Sequence, residues 1–312
     1  VPGIRIDSHS SGEEYTTSVK VSDSAFPTTK FSKTTVNPRI AIKYELTPSL
    51  VLRANVGTGF RAPYGFSEDL HLCSGSPRVW KSSNLKGERA ISYNLSADYY
   101  AKKYQFSINI FRTNLKDKIQ FSPADDEVKK FGYSYQWENV DDAYVQGVEL
   151  GAKANLFRNF NAGINWTFNQ GKFKHERADW SDPNDETVKE FPQRLQYAKD
   201  SRNISRFPAM TGDIDLDYTP GTWSFSLTSS LQGKMYIDYN SEDNGATSKI
   251  KKTNTFMLFN CRAAKRFGMC TVYAGAKNIF SYIQDEKHTD DAAFMYAPVY
   301  GATWYVGLSV KL

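Results

Sequence analysis

No run of 18 or more apolar residues occurs anywhere in the 312-residue sequence, which excludes a transmembrane helix. A membrane β-barrel is not excluded, because its strands alternate between lipid and a polar lumen and keep the average hydropathy low. Cysteine is scarce: Cys73, Cys261 and Cys270 make neither a disulfide framework nor a zinc motif. If Phe267 pairs with Cys270 across the Gly268-Met269 turn, Cys261 lies several residues up the ladder, out of bonding reach. The net charge of +5 is small and comes without a basic block, so no nucleic-acid partner is indicated. A nucleophile elbow, a Gly-rich phosphate loop and an HExxH zinc site are all missing, and no catalytic residue is assigned.

What the chain does contain is two-residue alternation. Ile40, Ile42, Tyr44 and Leu46 alternate with Arg39, Ala41, Lys43 and Glu45, and Ile91 to Tyr99 alternate with Ser92, Asn94, Ser96 and Asp98. The same pattern runs through residues 52–57, 106–110, 148–152, 162–168, 214–218, 223–227, 257–263 and 272–276, and closes the chain as TWYVGLSVKL. A soluble sandwich would also alternate. The connections favour a barrel. Short reversals near 47–49, 101–103, 158–160, 220–222 and 268–269 take turns with long polar segments near 8–35, 59–86, 123–132, 174–203, 241–252 and 285–299. One end of every hairpin is trimmed and the other elaborated, as in outer-membrane barrels, and Trp, Tyr and Phe gather near strand ends. The expected fold is therefore all-β, an antiparallel transmembrane barrel of roughly twelve strands. The opening VPGIRID reads as the end of a strand with no leader before it, so the chain is expected to be a mature or truncated piece.

Five segments then carry a resemblance. Gly57-Thr-Gly59-Phe60-Arg61-Ala-Pro63, Leu85-Lys-Gly-Glu88, Asn139 followed by Gly147-Val-Glu149, Arg206-Phe-Pro208 and Asn278-Ile-Phe280 are similar, in order and spacing, to elements of TonB-dependent outer-membrane receptors. Gly87 stands where that family usually has Pro. Phe66-Ser-Glu-Asp69 and Ser74-Gly-Ser-Pro77 resemble the spelling of receptors from Bacteroidetes. The resemblance implies that residues 1–312 are the second half of a 22-stranded barrel in the outer membrane of a Gram-negative bacterium, with the plug domain and the first strands outside this chain. It implies energy-coupled import of a scarce, bulky nutrient such as an iron-siderophore, haem or cobalamin, with no permanently bound cofactor. The partners it implies are outer-membrane lipid, TonB through the plug, the barrel-assembly machinery and a surface lipoprotein. A passive porin-like barrel, complete at twelve strands, is the alternative, and an outer-membrane hydrolase a third.

His9, His71, His175 and His288 all fall in or beside external segments. Neutral imidazole is the commonest transition-metal ligand, yet solvated loop histidines are the plainer reading. The densest cluster is Asp285 to Asp291 with Met295 and Tyr296. His71, His288, Asp290, Asp291, Met295 and Tyr296 are the candidate ligand contacts, since hard cations want oxygens and haem iron accepts His, Met or Tyr. Asp213, Asp215 and Asp217 share a lumen face, where they can stay hydrated or pair with Arg39, Arg53 or Lys43. Gly59, Phe60, Arg61 and Pro63 are expected to brace barrel wall and loop. Tyr305, Gly307, Val310 and Leu312 resemble the terminal signal read by the assembly machinery.

Overall fold

The structure, a computed structural model, describes residues 1–14, 25–64, 79–133, 135–175, 202–204, 206–239, 249–284 and 296–311. Its strands are β1 (Pro2–Glu13), β2 (Thr29–Thr47), β3 (Leu50–Arg61), β4 (Val79–Lys81), β5 (Glu88–Tyr100), β6 (Tyr104–Pro123), β7 (Tyr135–Phe157), β8 (Phe160–Phe173), β9 (Met210–Tyr218), β10 (Trp223–Gln232), β11 (Tyr236–Tyr239), β12 (Lys249–Lys252), β13 (Phe256–Phe267), β14 (Cys270–Lys277) and β15 (Thr303–Val310). One helical turn, α1 (Asp126–Lys129), is capped by the Asp125 carboxylate, which accepts the N–H groups of Glu127 and Val128.

Twelve strands form one antiparallel meander in the order β1-β2-β3-β5-β6-β7-β8-β9-β10-β13-β14-β15, with β4 added parallel to β7, while β11 and β12 form a separate hairpin. Every pairing along the path is antiparallel and follows chain order, skipping only β4 between β3 and β5 and the β11–β12 hairpin between β10 and β13, which is the up-and-down order a barrel requires. The tight turns at Pro48-Ser49, residues 101–103, Arg158-Asn159, residues 219–222 and Gly268-Met269 all lie at one end. Asn159, Gly221 and Gly268 supply the positive φ such reversals need. The longer connections emerge at the other end, as the sequence leads one to expect.

The register builds the outer face row by row. Leu95, Ile110, Val148, Phe168 and Met210 stand opposite one another across β5 to β9. A second row joins Ala97, Ile108, Leu150 and Trp166, and a further row Leu227, Cys261, Ala276 and Trp304. Much of this apolar face is solvent-exposed in the isolated chain, Val306 and Trp304 by 78% and 75%, which in water would be an untenable surface. From Val148 to Phe157 the strand makes nine steps, which at about 3.4 Å each and a tilt near 40° span roughly 23 Å, the height of a membrane-facing band. At its short-turn edge runs an aromatic strip: Phe157 stacks on Phe160 at 4.7 Å, Phe160 meets Tyr218 at 6.2 Å, Tyr218 meets Phe225 at 6.4 Å, and Phe225 stacks on Trp223 at 5.7 Å. Amphipathic rings prefer that interfacial depth.

Several strands run further than apolar alternation suggests. β1 and β2 extend their ladder to Glu13↔Thr29, and β6 and β7 to Pro123↔Tyr135. The β1–β2 extension is largely polar on both faces, so the two-faced pattern disappears although the backbone pairing continues, whereas in the β6–β7 extension Ile119, Phe121, Tyr135 and Trp137 still alternate in sequence with Gln120, Ser122, Gln136 and Glu138. Among the described residues, the principal packed core is a small cluster above the band, Tyr64, Leu85, Ile119 and Trp137, with Phe31 and Val79 against it.

Candidate functional site

The motif residues meet at the rim, where strands leave the sheet for the long loops. Asn139 of β7 clamps the segment before β5: its Oδ1 accepts the Lys86 N–H at 2.8 Å, and its Nδ2 donates to the Lys86 carbonyl at 3.0 Å and the Asp117 carbonyl at 2.8 Å. Asp117 sits in the β6 bulge at φ 54°, where the ladder cannot satisfy its carbonyl. The Glu88 carboxylate accepts the Ile119 N–H at 3.1 Å, and Arg61 stands in register with Glu88.

Phe60 packs against Gly87, where any side chain would overlap its ring. That contact gives a local reason for glycine at this position of the LKGE element. Phe60 also stacks on Phe31 at 6.0 Å and meets the His9 ring at 5.4 Å, tying β3 back to β1 and β2. Pro63 is fully buried and its carbonyl accepts the Ser11 hydroxyl at 3.1 Å. Gly59 has more room, since a methyl group there would lie 3.8 Å from the Ala90 side chain. Across the rim, Asn278 adopts φ 51° at the end of β14 and binds the backbone of Tyr282 and Tyr300. The Arg206 N–H donates to the Tyr236 carbonyl at 2.7 Å.

The lumen phase is a polar ladder. Asn109 donates to Glu149 at 2.8 Å, Asn165 to Asp213 at 2.8 Å, and Asn94 to Asn55 at 2.9 Å. Arg53 and Lys43 do not serve the β9 carboxylates; they pair with Asp98 and Glu45, because β2 and β3 lie several strands from β9. Gly163 stands in register between Lys153 and Asp215.

Of the candidate ligand contacts, Tyr296 is described, whereas His71, His288, Asp290, Asp291 and Met295 lie outside the described residues. Tyr296 works as an anchor: its N–H donates to the buried Gln284 side chain at 2.8 Å, and its ring packs 6.3 Å from Phe256, which stacks on Tyr282 at 4.8 Å. The two described histidines occupy separate places, His9 on Phe60 and His175 on Asp141. Tyr305 and Gly307 interlock with β14. The Tyr305 ring covers Gly275 directly opposite, and the Tyr273 ring covers Gly307, so each glycine is shielded by its partner's aromatic ring. Val310 pairs with Cys270, and Leu312 is outside the described residues. Cys261 pairs with Ala276 while Phe267 pairs with Cys270, the separation that keeps the two thiols apart.

Burial pushes the Asp141 carboxyl up, but this is outweighed by the N–H groups of His175 and Asp142 and by the His175 ring, leaving its pKa below the usual carboxylate value. A depressed carboxylate stabilises the fold above its unfolded pKa of about 3.9, and the contribution is lost as pH falls through the lower folded value. Hydrogen exchange over residues 170–175, corrected for intrinsic rate, is expected to show protection at pH 5 that is lost as pH falls below the ordinary aspartate value of about 3.9. Asp141→Ala should remove it already at pH 5.

Residues 1–279 match the family described as TonB dependent receptor-like, beta-barrel. The chain belongs to the TonB-dependent receptor family. Among curated relatives, the vitamin B12 transporter BtuB of Photobacterium profundum is 26% identical over 229 residues, covering 72% of this chain and 30% of that protein. The ferric enterobactin receptor of Pseudomonas aeruginosa is 27% identical over 151 residues, covering 43% and 20%. Among solved structures, the copper transporter OprC superposes with a TM-score of 0.69 at 20% identity, covering 98% of this chain and 44% of that one. The ferric citrate transporter FecA gives 0.68 at 19%, covering 98% and 42%. This TonB-dependent receptor chain thus spans less than half the length of the relatives it matches.

Proposed function

We propose that this chain forms the C-terminal part of the barrel of an outer-membrane receptor that imports a scarce, bulky nutrient, an iron-siderophore, haem or cobalamin, using energy relayed by TonB. The observation that carries the reading is the division of one β-meander into an apolar outer band, a polar lumen and a single end bearing all the long connections. Such a wall binds its cargo from loops and lumen and breaks no bond. Similarity to a vitamin B12 transporter over 72% of the chain supports the substrate class. In this reading His71, His288, Asp290, Asp291 and Met295 contribute loop contacts to cargo, with Tyr296 holding the base of their loop. TonB acts through a plug domain, and the terminal strand is read by the assembly machinery.

The test is growth of a strain lacking the gene on single sources of iron-siderophore, haem or cobalamin. Growth is expected to fail on one source and to return with the gene only when TonB is present. Equal growth on all sources overturns the substrate class, and TonB-independent rescue identifies a passive barrel.

A further inference from the structure

Across β10, β13, β14 and β15 the apolar band is not evenly filled. In two successive rows the register sets a large side chain, two small ones and another large one side by side: Leu227, Cys261, Ala276 and Trp304, then Phe225, Ala263, Ala274 and Val306. The row Leu95, Ile110, Val148 and Phe168 of β5 to β8 has no such gap. β13 and β14 therefore floor a trough whose flanking strands lie three spacings, or about 14 Å, apart. It encloses about 520 Å³, with Leu227, Phe225 and Trp304 as walls and Cys261, Ala263 and Ala274 as floor, a volume within the roughly 300–1,000 Å³ of ligand sites.

Toward the short turns the trough ends at a cation. One row below Phe225 and Ala263 the register joins Trp223, Lys265, Val272 and Leu308, so Lys265 stands on the outer face at the level of the aromatic strip. Its Nζ lies 4.7 Å over the Trp223 ring and 5.0 Å from the centre of the Phe267 ring, contacts that hold an ammonium through the negative faces of the rings. No ion pair joins Lys265 to a carboxylate among the described residues. A lysine on a hydrocarbon-facing surface is tolerated where its head reaches the interface. An apolar trough capped at headgroup depth by an uncompensated cation is complementary to an amphiphile with a negative head.

We propose that this trough holds one acyl chain of an anionic glycerophospholipid of the periplasmic leaflet, with the lipid phosphate on Lys265. The inference rests on the membrane-facing reading of the apolar band, with the short turns at the periplasmic end, and is independent of the transported cargo. Charge selects this occupant over a second copy of the chain. The outer-phase residues of β9, β10, β13, β14 and β15 include no Asp or Glu, so an isologous copy seated on the same face would offer Lys265 no counter-charge. A phosphate at headgroup depth supplies it.

The full-length receptor is purified from outer membranes, delipidated in non-ionic detergent and titrated by native mass spectrometry with phosphatidylglycerol and with phosphatidylcholine of the same acyl chains. Its recovery in the outer-membrane fraction tests the membrane-facing reading separately, before any lipid is added. Wild-type protein is expected to bind phosphatidylglycerol about fivefold more tightly, the gain from one interfacial cation. Lys265→Gln should bring the two lipids level. Ala263→Phe, which fills the floor of the trough, should lose both, while Ala152→Phe, on the outer face between Phe106 and Ile164, should keep both and the preference. Heat-modifiable gel mobility confirms that each variant is folded, and the wild-type comparison needs no substitution. Equal binding of the two lipids by wild type overturns the proposal, as does an unaltered preference in Lys265→Gln or unaltered binding in Ala263→Phe. A receptor dimer that Ala263→Phe dissociates would show that a second copy covers the trough, and would overturn it too.

Discussion

Asn278→Ala should lower the stability of the folded barrel by about 4 kcal/mol, the sum of several lost hydrogen bonds and a strained backbone. The side chain is buried, donates to the Tyr282 and Tyr300 carbonyls at 2.8 and 3.2 Å, and accepts the Tyr282 N–H at 2.9 Å. Its own N–H donates to Asn260 at 3.0 Å. Alanine would leave three backbone groups without these partners at a place water reaches poorly, and would hold φ near 51° without the local hydrogen bonds that make asparagine tolerable there. Asn278→Gly separates the two contributions. Glycine relieves the left-handed backbone, so it should recover about 1 kcal/mol and no more. Urea unfolding followed by heat-modifiable mobility reads both. A midpoint for Asn278→Ala within error of wild type would show that the β14 to β15 connection does not depend on this side chain.

A comparable loss is expected from Gly147→Ala, at least about 3 kcal/mol. A methyl group there would overlap the Phe168 carbonyl oxygen and come within 2.7 Å of the Phe111 ring. The ring can rotate away, but the carbonyl belongs to the β7 to β8 ladder, where Val148 pairs with Phe168 and Gly147 with Asn169. Adding Phe111→Ala to Gly147→Ala should therefore rescue only a part. Gly59→Ala is the matched contrast: its nearest neighbour would be 3.8 Å away, so its unfolding midpoint should move little. If Gly59→Ala and Gly147→Ala destabilise equally, the steric account fails.

The parts of this architecture that a reader of the sequence recovers are those bounded by lipid. Ile40 to Leu46 and Ile91 to Tyr99 alternate because one face meets hydrocarbon and the other a polar lumen, and the reversals at Gly221 and Gly268 are signalled by their glycines. Where both faces are polar the signal vanishes, so the ladder around His9↔Lys33 looks like loop. The parallel addition of β4 to β7 through Val79↔Tyr135 has no local pattern at all, since three residues are too few for a period. Asn139, Glu88 and Phe60 could be picked out as motif letters, but their meeting at one rim depends on the curvature of the sheet. Of the six candidate cargo contacts, Tyr296 is the one that lies among the described residues. Its backbone is held by Gln284 and its ring by Phe256, a placement that comes from tertiary contacts and has no local sequence signal.

The unequal height of the wall has a consequence for what first touches the cell. From Val148 at the top of the apolar band to Tyr135, β7 rises 13 more residues, roughly 34 Å at the same tilt, several times the ~5–8 Å depth of a headgroup layer. At that summit sits α1, with Asp125, Asp126 and Glu127 beside Lys129 and Lys130. Among the described residues, an antibody, a phage tail or a neighbouring cell approaching β6 and β7 from outside meets this mixed-charge knuckle before the lumen side chains of those two strands. Recognition at this knuckle is thereby separated from the chemistry of the lumen face, and peptide tags inserted between Asp126 and Lys130 would be displayed well clear of the lipid.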